Sequence, residues 1–381
     1  MTLPTEQLGN VGTVIMGLSP SSSSVSHDAT SGLPLLNGPT EFGAVHPTPR
    51  QWTAEWARTA EVGDTLFCVR GSTTGRMNTA QMRYAIGRGI AAIRGQSPID
   101  TSYIRYALID GLPALLALTS GSVFPNISAG DLKGFELPWP SAEQRASIVD
   151  VLGAIDARIE SNRRVIQISE EMLDALSAIV SPELPSTALG TLVHVARESI
   201  NPARLGNELV DHYSLPAFDN GARPEHVAAS SIMSGKLLIS RRSILLSRLN
   251  PKTNRTWWVS PRGGTRAVAS TEFSCLVSED DQTLAAVWLA VRDEFFRTEL
   301  TRRVTGTSGS HQRVRPDDVL SIEVPDIRTL DVDQKTTVLS ALETVEQKRE
   351  EIDRLAAFRD TLAPELLSGR LRATDWTEAI A

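Results

Sequence analysis

Two stretches of the chain repeat apolar residues on alternating four- and three-residue steps, and each predicts a long helix. In the first, Ile148, Leu152, Ile155, Ile159, Ile166, Leu173 and Leu176 fall on these steps, with Asn162 and Ser169 filling two slots. Sustained over about four heptads, that spacing reads as a coiled-coil seam. Ser141 stands three residues before Gln144, the spacing of a capping box that would start the helix. The second stretch, about Gln334 to Leu367, carries Val338, Leu342, Val345, Ile352, Leu355, Leu362 and Leu366, with Arg359 in one expected apolar slot. Neither stretch is apolar all round, so neither reads as a buried core helix. Two similar stripes in one chain suggest that each is the other's partner, and a buried Asn162 would then help fix register at some cost in stability. Two unrelated amphipathic helices, each docked on its own domain, are the alternative.

The sequence before each helix repeats as well. Leu8-Gly9 opens one half and Leu189-Gly190 the other, each followed by β-prone residues (Val11, Val14, Ile15; Leu192, Val193, Val195). Short alternating strands follow, such as Thr65–Val69 and Ser243–Leu246, and each half leaves through proline, at Leu137-Pro138-Trp139-Pro140 and at Val324-Pro325. The resulting division is a domain over 1–140, a helix over 141–181, a domain over 182–328, and a helix with a tail over 329–381. The Ser-rich segment Ser19–Ser26 reads as a low-complexity loop. A chain of 381 residues fits two or three domains, and 41% apolar with 22% charged residues is a globular composition. No apolar run is long enough to span a membrane, and Met1 to Gly12 lacks the basic and apolar regions of a signal peptide. Two cysteines, Cys68 and Cys275, give no disulfide framework or thiolate zinc site, so a cytoplasmic protein is expected.

Net charge changes the picture. A formal charge of −7 argues against a polyanionic partner, but the average hides a segregation. No acid occurs from Thr65 to Ile99, which holds Arg70, Arg76, Arg83, Arg88 and Arg94. None occurs from Lys236 to Arg266, which holds Arg241, Arg242, Arg248, Lys252, Arg255 and Arg262. The acids gather around Glu143–Glu183 and Asp331–Glu378 instead. One acid-free basic stretch per half is what local phosphate contact requires.

In order, spacing and duplication the chain resembles the specificity subunit of type I restriction–modification systems. The resemblance is carried by Gly121-Ser-Val-Phe-Pro-Asn-Ile-Ser-Ala-Gly-Asp-Leu-Lys133 leading through Leu137-Pro138 to Glu143-Gln144-Arg145, and by Leu152-Gly-Ala-Ile-Asp-Ala-Arg-Ile-Glu-Ser-Asn-Arg-Arg164. In the second half it rests on His212-Tyr-Ser-Leu-Pro-Ala-Phe-Asp219, Leu245-Leu-Ser-Arg-Leu-Asn-Pro-Lys252 and Thr305-Gly-Thr-Ser-Gly-Ser-His-Gln-Arg-Val-Arg315 before Asp317-Asp318-Val319-Leu320. It implies an α+β molecule: two α/β target recognition domains separated by two long antiparallel helices, a coiled coil, in a pseudo-twofold arrangement. Each domain would read half of a bipartite site in double-stranded DNA, with the helices as a ruler. Two methyltransferase (modification) subunits would dock on the chain and supply the S-adenosylmethionine, and restriction/translocase subunits would join them in phage defence. The chain itself would bind no cofactor and do no chemistry. The halves are not close copies, so two different half-sites are implied.

Sequence reading needs phosphate contacts for position and base-edge contacts for identity, with Arg or Lys suited to guanine and Asn or Gln to adenine. In the first half the strand-to-loop stretch offers Arg70, Ser72, Thr73, Thr74 and Arg76, and the later loop Ser120, Ser122 and Asn126. In the second half the matching places hold Ser247, Arg248, Asn250, Lys252, Asn254 and Arg255, then Thr307, Ser308, Ser310, His311, Gln312, Arg313 and Arg315. Polar turns without a ligand are the plain alternative for any one of them.

Rival functions fit less well. Asn250-Pro251-Lys252 breaks the tetrad of an adenine methyltransferase, and no Gly-rich cofactor loop follows a strand. Asp100 with Asp131-Leu132-Lys133 mimics the spacing of a metal-dependent nuclease, but the last three match the helix-leading signature. The six histidines show no metal-ligand spacing. Tyr213, Phe218, Trp257 and Trp258 read as core or strand-face aromatics before stacking platforms. The remaining rival is a helical adaptor that binds protein partners in a defence complex without reading DNA.

Overall fold

The computed structural model describes residues 3–118, 126–180, 184–305 and 312–373. The chain forms two compact units, one from residues 1–159 with 354–381 and the other from residues 160–353.

In the first unit a four-stranded antiparallel sheet runs in the order Gly12–Met16, Ile90–Gly95, Thr65–Cys68, Met77–Thr79. Its central strand buries Ile90, Ala91, Ala92 and Ile93 in succession, the pattern of a strand covered on both faces, and the helix Pro98–Asp110 packs on it. That helix starts where Ser97 accepts a hydrogen bond from the Asp100 amide and Pro98 takes the first turn. A mixed five-stranded sheet runs Val25–Ser26, Gln51–Thr53, Leu33–Leu36, Tyr84–Ile86, Thr59–Ala60. The Ser-rich segment is thus not a plain loop: it takes a 3-10 turn at Ser22–Ser24, and Val25–Ser26 pairs with Trp52 and Thr53.

The second unit repeats the plan. Its four-stranded sheet runs His194–Ala196, Phe273–Val277, Ser243–Ser247, Thr256–Val259, the same order by position. The helix Asp281–Arg292, capped by Asp280, follows in the same place and buries Leu284 to Val291 against Ile244, Leu246, Trp258 and Leu276. The five-stranded sheet runs Ser199–Ile200, Lys236–Ile239, Arg266–Ala269, Leu209–Tyr213, Glu225–Ala228. Four of its strands match the first unit, including the single parallel pair. The fifth differs: Val25–Ser26 joins one edge in the first unit, and Ser199–Ile200 joins the opposite edge in the second.

The repeated sequence marks have structural reasons. Thr5–Gln7 pairs with Glu136–Pro138, and Ser186–Ala188 with Glu323–Pro325, so a two-stranded ladder ties entry to exit in each unit. A proline at the end of such an edge strand costs no ladder bond. Leu8 and Leu189 are buried, and the glycine after each lies against the short helix before the exit. A Cβ on Gly9 would come within 3.1 Å of Lys133 and one on Gly190 within 3.3 Å of Leu320.

The long helices span Ala142–Val180 and Val332–Leu367. Ser141 and Gln144 exchange the two bonds of a capping box, at 3.2 and 3.3 Å. Asp331 and Gln334 form the same box at 3.1 and 2.7 Å, which starts the second helix slightly earlier than its apolar stripe suggested. Within the first unit the helices run antiparallel: Ile148 and Leu366 line one groove, and Asp156 meets Arg359 at 2.8 Å. Ile148, Leu152, Ile155, Ile159, Leu362 and Leu366 are buried there, while Leu355 is half-buried. Within the second unit Glu170 meets Arg349 at 2.7 Å, and Leu173 shares a cavity wall with Leu342 and Val345, again antiparallel. Val345 and Ile352 are buried and Ile166 half-buried. Among the described residues no helix is long and apolar enough to cross a membrane.

Asn162 is 1% exposed, and its Nδ2 has no hydrogen-bond partner. An unmatched buried amide costs about 1–3 kcal/mol, so Asn162→Leu is expected to stabilise the chain by about 1 kcal/mol after imperfect repacking. A urea midpoint that rises with unchanged slope would show this, and a fall would mean that the amide is stabilising where it stands.

Candidate nucleic-acid interface

In the first unit the strand Thr65–Cys68 turns through residues 69–76 into Met77–Thr79. The turn is closed by Gly75 N–H to Cys68 O at 2.8 Å and Cys68 N–H to Arg76 O at 2.8 Å. Gly71 and Gly75 both sit near φ +90°, where a side chain is strained, and a Cβ on Gly75 would also strike Leu112 at 2.7 Å. Arg70, Ser72, Thr73 and Arg76 are exposed, and Thr74 Oγ1 donates to Gly71 O at 2.8 Å. Arg76 is held by its neighbours, donating to the Phe42 and Pro39 carbonyls at 3.0 and 3.3 Å. The second candidate loop lies beside this tip: Arg70 and Asn126 form a β-bridge, and Ile127 N–H donates to Val69 O at 2.9 Å. Asn126 is exposed; Ser120 and Ser122 lie outside the described residues.

The second unit joins its two candidate segments in the same way. Leu249 and Arg313 form a β-bridge, Val314 N–H donates to Arg248 O at 3.1 Å, and Asn250 N–H to Gln312 O at 3.1 Å. Asn250 takes φ +50°, a left-handed conformation that asparagine tolerates, and its Oδ1 is buried without a partner. Ser247 is buried and donates to Leu249 O at 2.9 Å, so it holds the turn. Asn254 accepts from Thr256 at 2.6 Å, while Lys252 and Arg315 are exposed and Gln312 is half-buried. Thr307, Ser308, Ser310 and His311 lie outside the described residues.

The acid-free stretches are not acid-free in space. Arg313 donates Nε and Nη2 to Glu272 at 2.8 and 2.7 Å, and Arg255 does the same to Asp219 at 2.7 and 2.8 Å. Arg248 is half-buried, bonds the Thr271 carbonyl, and its Nε lacks a partner. Burial pushes the Arg248 guanidinium down, partly countered by Glu272. The hydrogen bonds from Arg313 hold the Glu272 carboxyl below its ordinary range. In the first unit Arg94 pairs with Asp64 at 2.6 Å and Arg83 with Glu61 at 3.0 Å. Arg70 and Arg88 make no ion pair among the described residues. Sequence reasoning missed Glu272 and Asp219, which stand 41 and 36 residues from the arginines they hold.

The residues weighed for catalysis have structural work. Asp131 completes a capping box with Ser128, and Asp100 pairs with Arg145 at 2.8 Å. Trp257 is buried edge-on against Tyr213 and Phe218, and Trp258 against Trp288, so these rings are core. Among the described residues no three His, Cys, Asp or Glu side chains gather as metal ligands would.

Two equivalent hairpin tips, each laced to the segment that leads into a long helix, are the surfaces on which comparison with known proteins bears. Residues 59–170, which include the whole first tip, match the model of the type I restriction modification DNA specificity domain. The resemblance to type I specificity subunits is borne out. A putative type I restriction enzyme specificity subunit of Methanocaldococcus jannaschii is 35% identical over 152 residues, which cover 40% of this chain and 35% of that one. A putative type I specificity subunit of Mycoplasma pneumoniae is 26% identical over 114 residues, 29% of this chain and 30% of that one. The chain thus spans about a third of the length of the curated relatives it matches. The crystal structure of a type I restriction–modification system S subunit from M. genitalium is 15% identical, covers 96% of each chain and superposes with a TM-score of 0.65. The fold, sheets and long helices together, is the fold of that S subunit.

Proposed function

We propose that the chain is the DNA-reading specificity subunit of a type I restriction–modification complex. Each unit reads one half of a bipartite site in double-stranded DNA and presents it to methyltransferase subunits, with restriction subunits joining where the system has them. The observation that carries this reading is the duplicated tip. In both units a hairpin turn is bridged by backbone hydrogen bonds to a second polar segment, at Arg70 with Asn126 and at Leu249 with Arg313. The two tips share a frame but not side chains, the arrangement needed to read two different half-sites. S-adenosylmethionine belongs to the partner subunits in this reading, and the chain carries no catalytic centre of its own.

Whole-genome mapping of methylated adenine in cells that co-express the chain with its modification subunits tests the proposal. The expected result is one methylated motif of two short specific blocks around a run of unspecified bases, lost when this chain is deleted. A contiguous motif, or methyl transfer by the purified chain alone, would overturn it. DNA affinity that ignores salt would favour the protein-binding adaptor instead.

A further inference from the structure

Beside the second tip lies an open groove of about 340 Å³ that takes Pro251 and Lys252 from one candidate segment and its other wall from a helix outside both. Pro251 and Lys252 form one wall, and the helix Glu294–Arg302 forms the other. The helix turns Phe296 and Leu300 inward, where they are buried, and turns Glu294, Arg297, Thr298 and Thr301 to the groove. These positions follow the i, i+3, i+4, i+7 spacing of one helix face. Arg302 is tied to Glu299 at 2.6 Å, as is Arg303. Lys252 and Arg297 are exposed and make no ion pair among the described residues.

The wall chemistry points to one class of ligand. Small-molecule pockets are concave and mostly apolar. This groove is shallow, and apart from Pro251 it is lined by three cations, two hydroxyls and one carboxylate. Cations with hydroxyl donors on an open surface suit a phosphodiester backbone. The first unit has no counterpart among the described residues. Its helix Leu112–Ala117 follows the helix Pro98–Asp110 in the same way and meets its own tip through Leu112 and Gly75, but its six residues include no charge.

We propose that this groove grips the DNA backbone next to the second tip, a positioning contact that places the second unit on the duplex without reading bases. The proposal rests on the DNA-reading function above and adds to it a contact that the uncharged helix Leu112–Ala117 of the first unit does not offer.

The test uses the full chain assembled with its modification subunits, a random-sequence duplex, a duplex carrying the mapped methylation motif, and a salt series. In Arg297→Ala, affinity for both duplexes should fall by the same factor, and the slope of log affinity against log salt should drop by about 0.9 for each phosphate no longer neutralised. The methylated motif should be unchanged in Arg297→Ala, and adding Lys252→Ala should about double the drop in slope. Arg297→Lys should keep most of the slope. Glu294→Gln should tighten binding to both duplexes, a gain that misfolding cannot produce. If wild type binds with a steep slope and the alanine variants match it, the groove is no phosphate site and the DNA-reading function stands. A loss confined to the specific duplex, or a changed motif, would make the groove a base-reading surface and overturn the proposal. Wild type without salt-dependent binding would overturn both.

Discussion

Asp156→Ala is expected to destabilise the first unit by about 2–3 kcal/mol. The carboxylate accepts from Arg359 at 2.8 Å, Tyr106 at 2.7 Å and Arg105 at 3.2 Å, joining the two long helices to the helix Pro98–Asp110. The paired side chains are a quarter to a third exposed, so the contact is neither a solvated surface pair nor a dry one. Removing one partner of a buried pair costs about 3–5 kcal/mol. Partial exposure, and the second carboxylate that Arg359 finds on Asp360 at 2.8 Å, bring the expectation below that range. Burial by itself would raise the Asp156 carboxyl, but hydrogen bonds from Arg359 and Tyr106 outweigh it and leave the group below its ordinary value. A carboxyl depressed in the folded state contributes fully above its unfolded value, near pH 4, and the contribution fades as pH falls through the folded value. Urea unfolding should therefore show a variant weaker than wild type at neutral pH, with the gap narrowing on acidification. A difference under about 0.5 kcal/mol at neutral pH would place the carboxylate among ordinary surface pairs.

That contact also marks where the sequence stops being legible. The seam from Ile148 to Ile159 can be read from spacing because burial on a helix leaves a period, and Asn162 falls in it for the same reason. Arg359 looks like an error in the second stripe until Asp156 and Tyr106 stand beside it, because a charge is tolerated in an apolar slot only with a partner that the slot does not name. The repeat could be read from Leu8-Gly9 and Leu189-Gly190, where burial and close packing dictate the residues. The fifth strand could not. Two residues on either edge of a sheet have no pattern to betray which edge they join. At the tips, the residue types marked the turns themselves, since glycines and hydroxyls are what sharp polar turns use. Their joining could not be foreseen, because the bridge from Arg70 to Asn126 depends on sheet order. The charge reading was weakest for the same reason: acid-free along the chain says nothing of Glu272 or Asp219 across a sheet.

Glu272 makes the second large prediction. Arg313→Ala is expected to weaken binding to the methylated motif roughly ten- to a hundredfold and to relax the motif at one position in the second half-site. Arginine offers five N–H donors in a planar fork. Glu272 takes the edge formed by Nε and Nη2, which leaves the edge formed by Nη1 and Nη2 for a guanine O6 and N7. The Arg313 side chain is 45% exposed, against 16% for Arg255, which uses the same edge on Asp219. Of the two buttressed arginines, Arg313 is therefore the more accessible, and it is the one expected to meet a base. Lysine keeps the charge but not the fork, so Arg313→Lys should hold non-specific affinity near wild type and still relax that position. Glu272→Gln removes the anion behind the guanidinium and should act in the opposite direction on affinity: stronger binding to random DNA, with less discrimination between motif and random duplex. Motif mapping and affinity measurement on the three variants separate the roles. Uniform weakening across all sequences in Arg313→Ala, with the motif intact, would make Arg313 a phosphate ligand and move the reading role to Asn250 and Gln312.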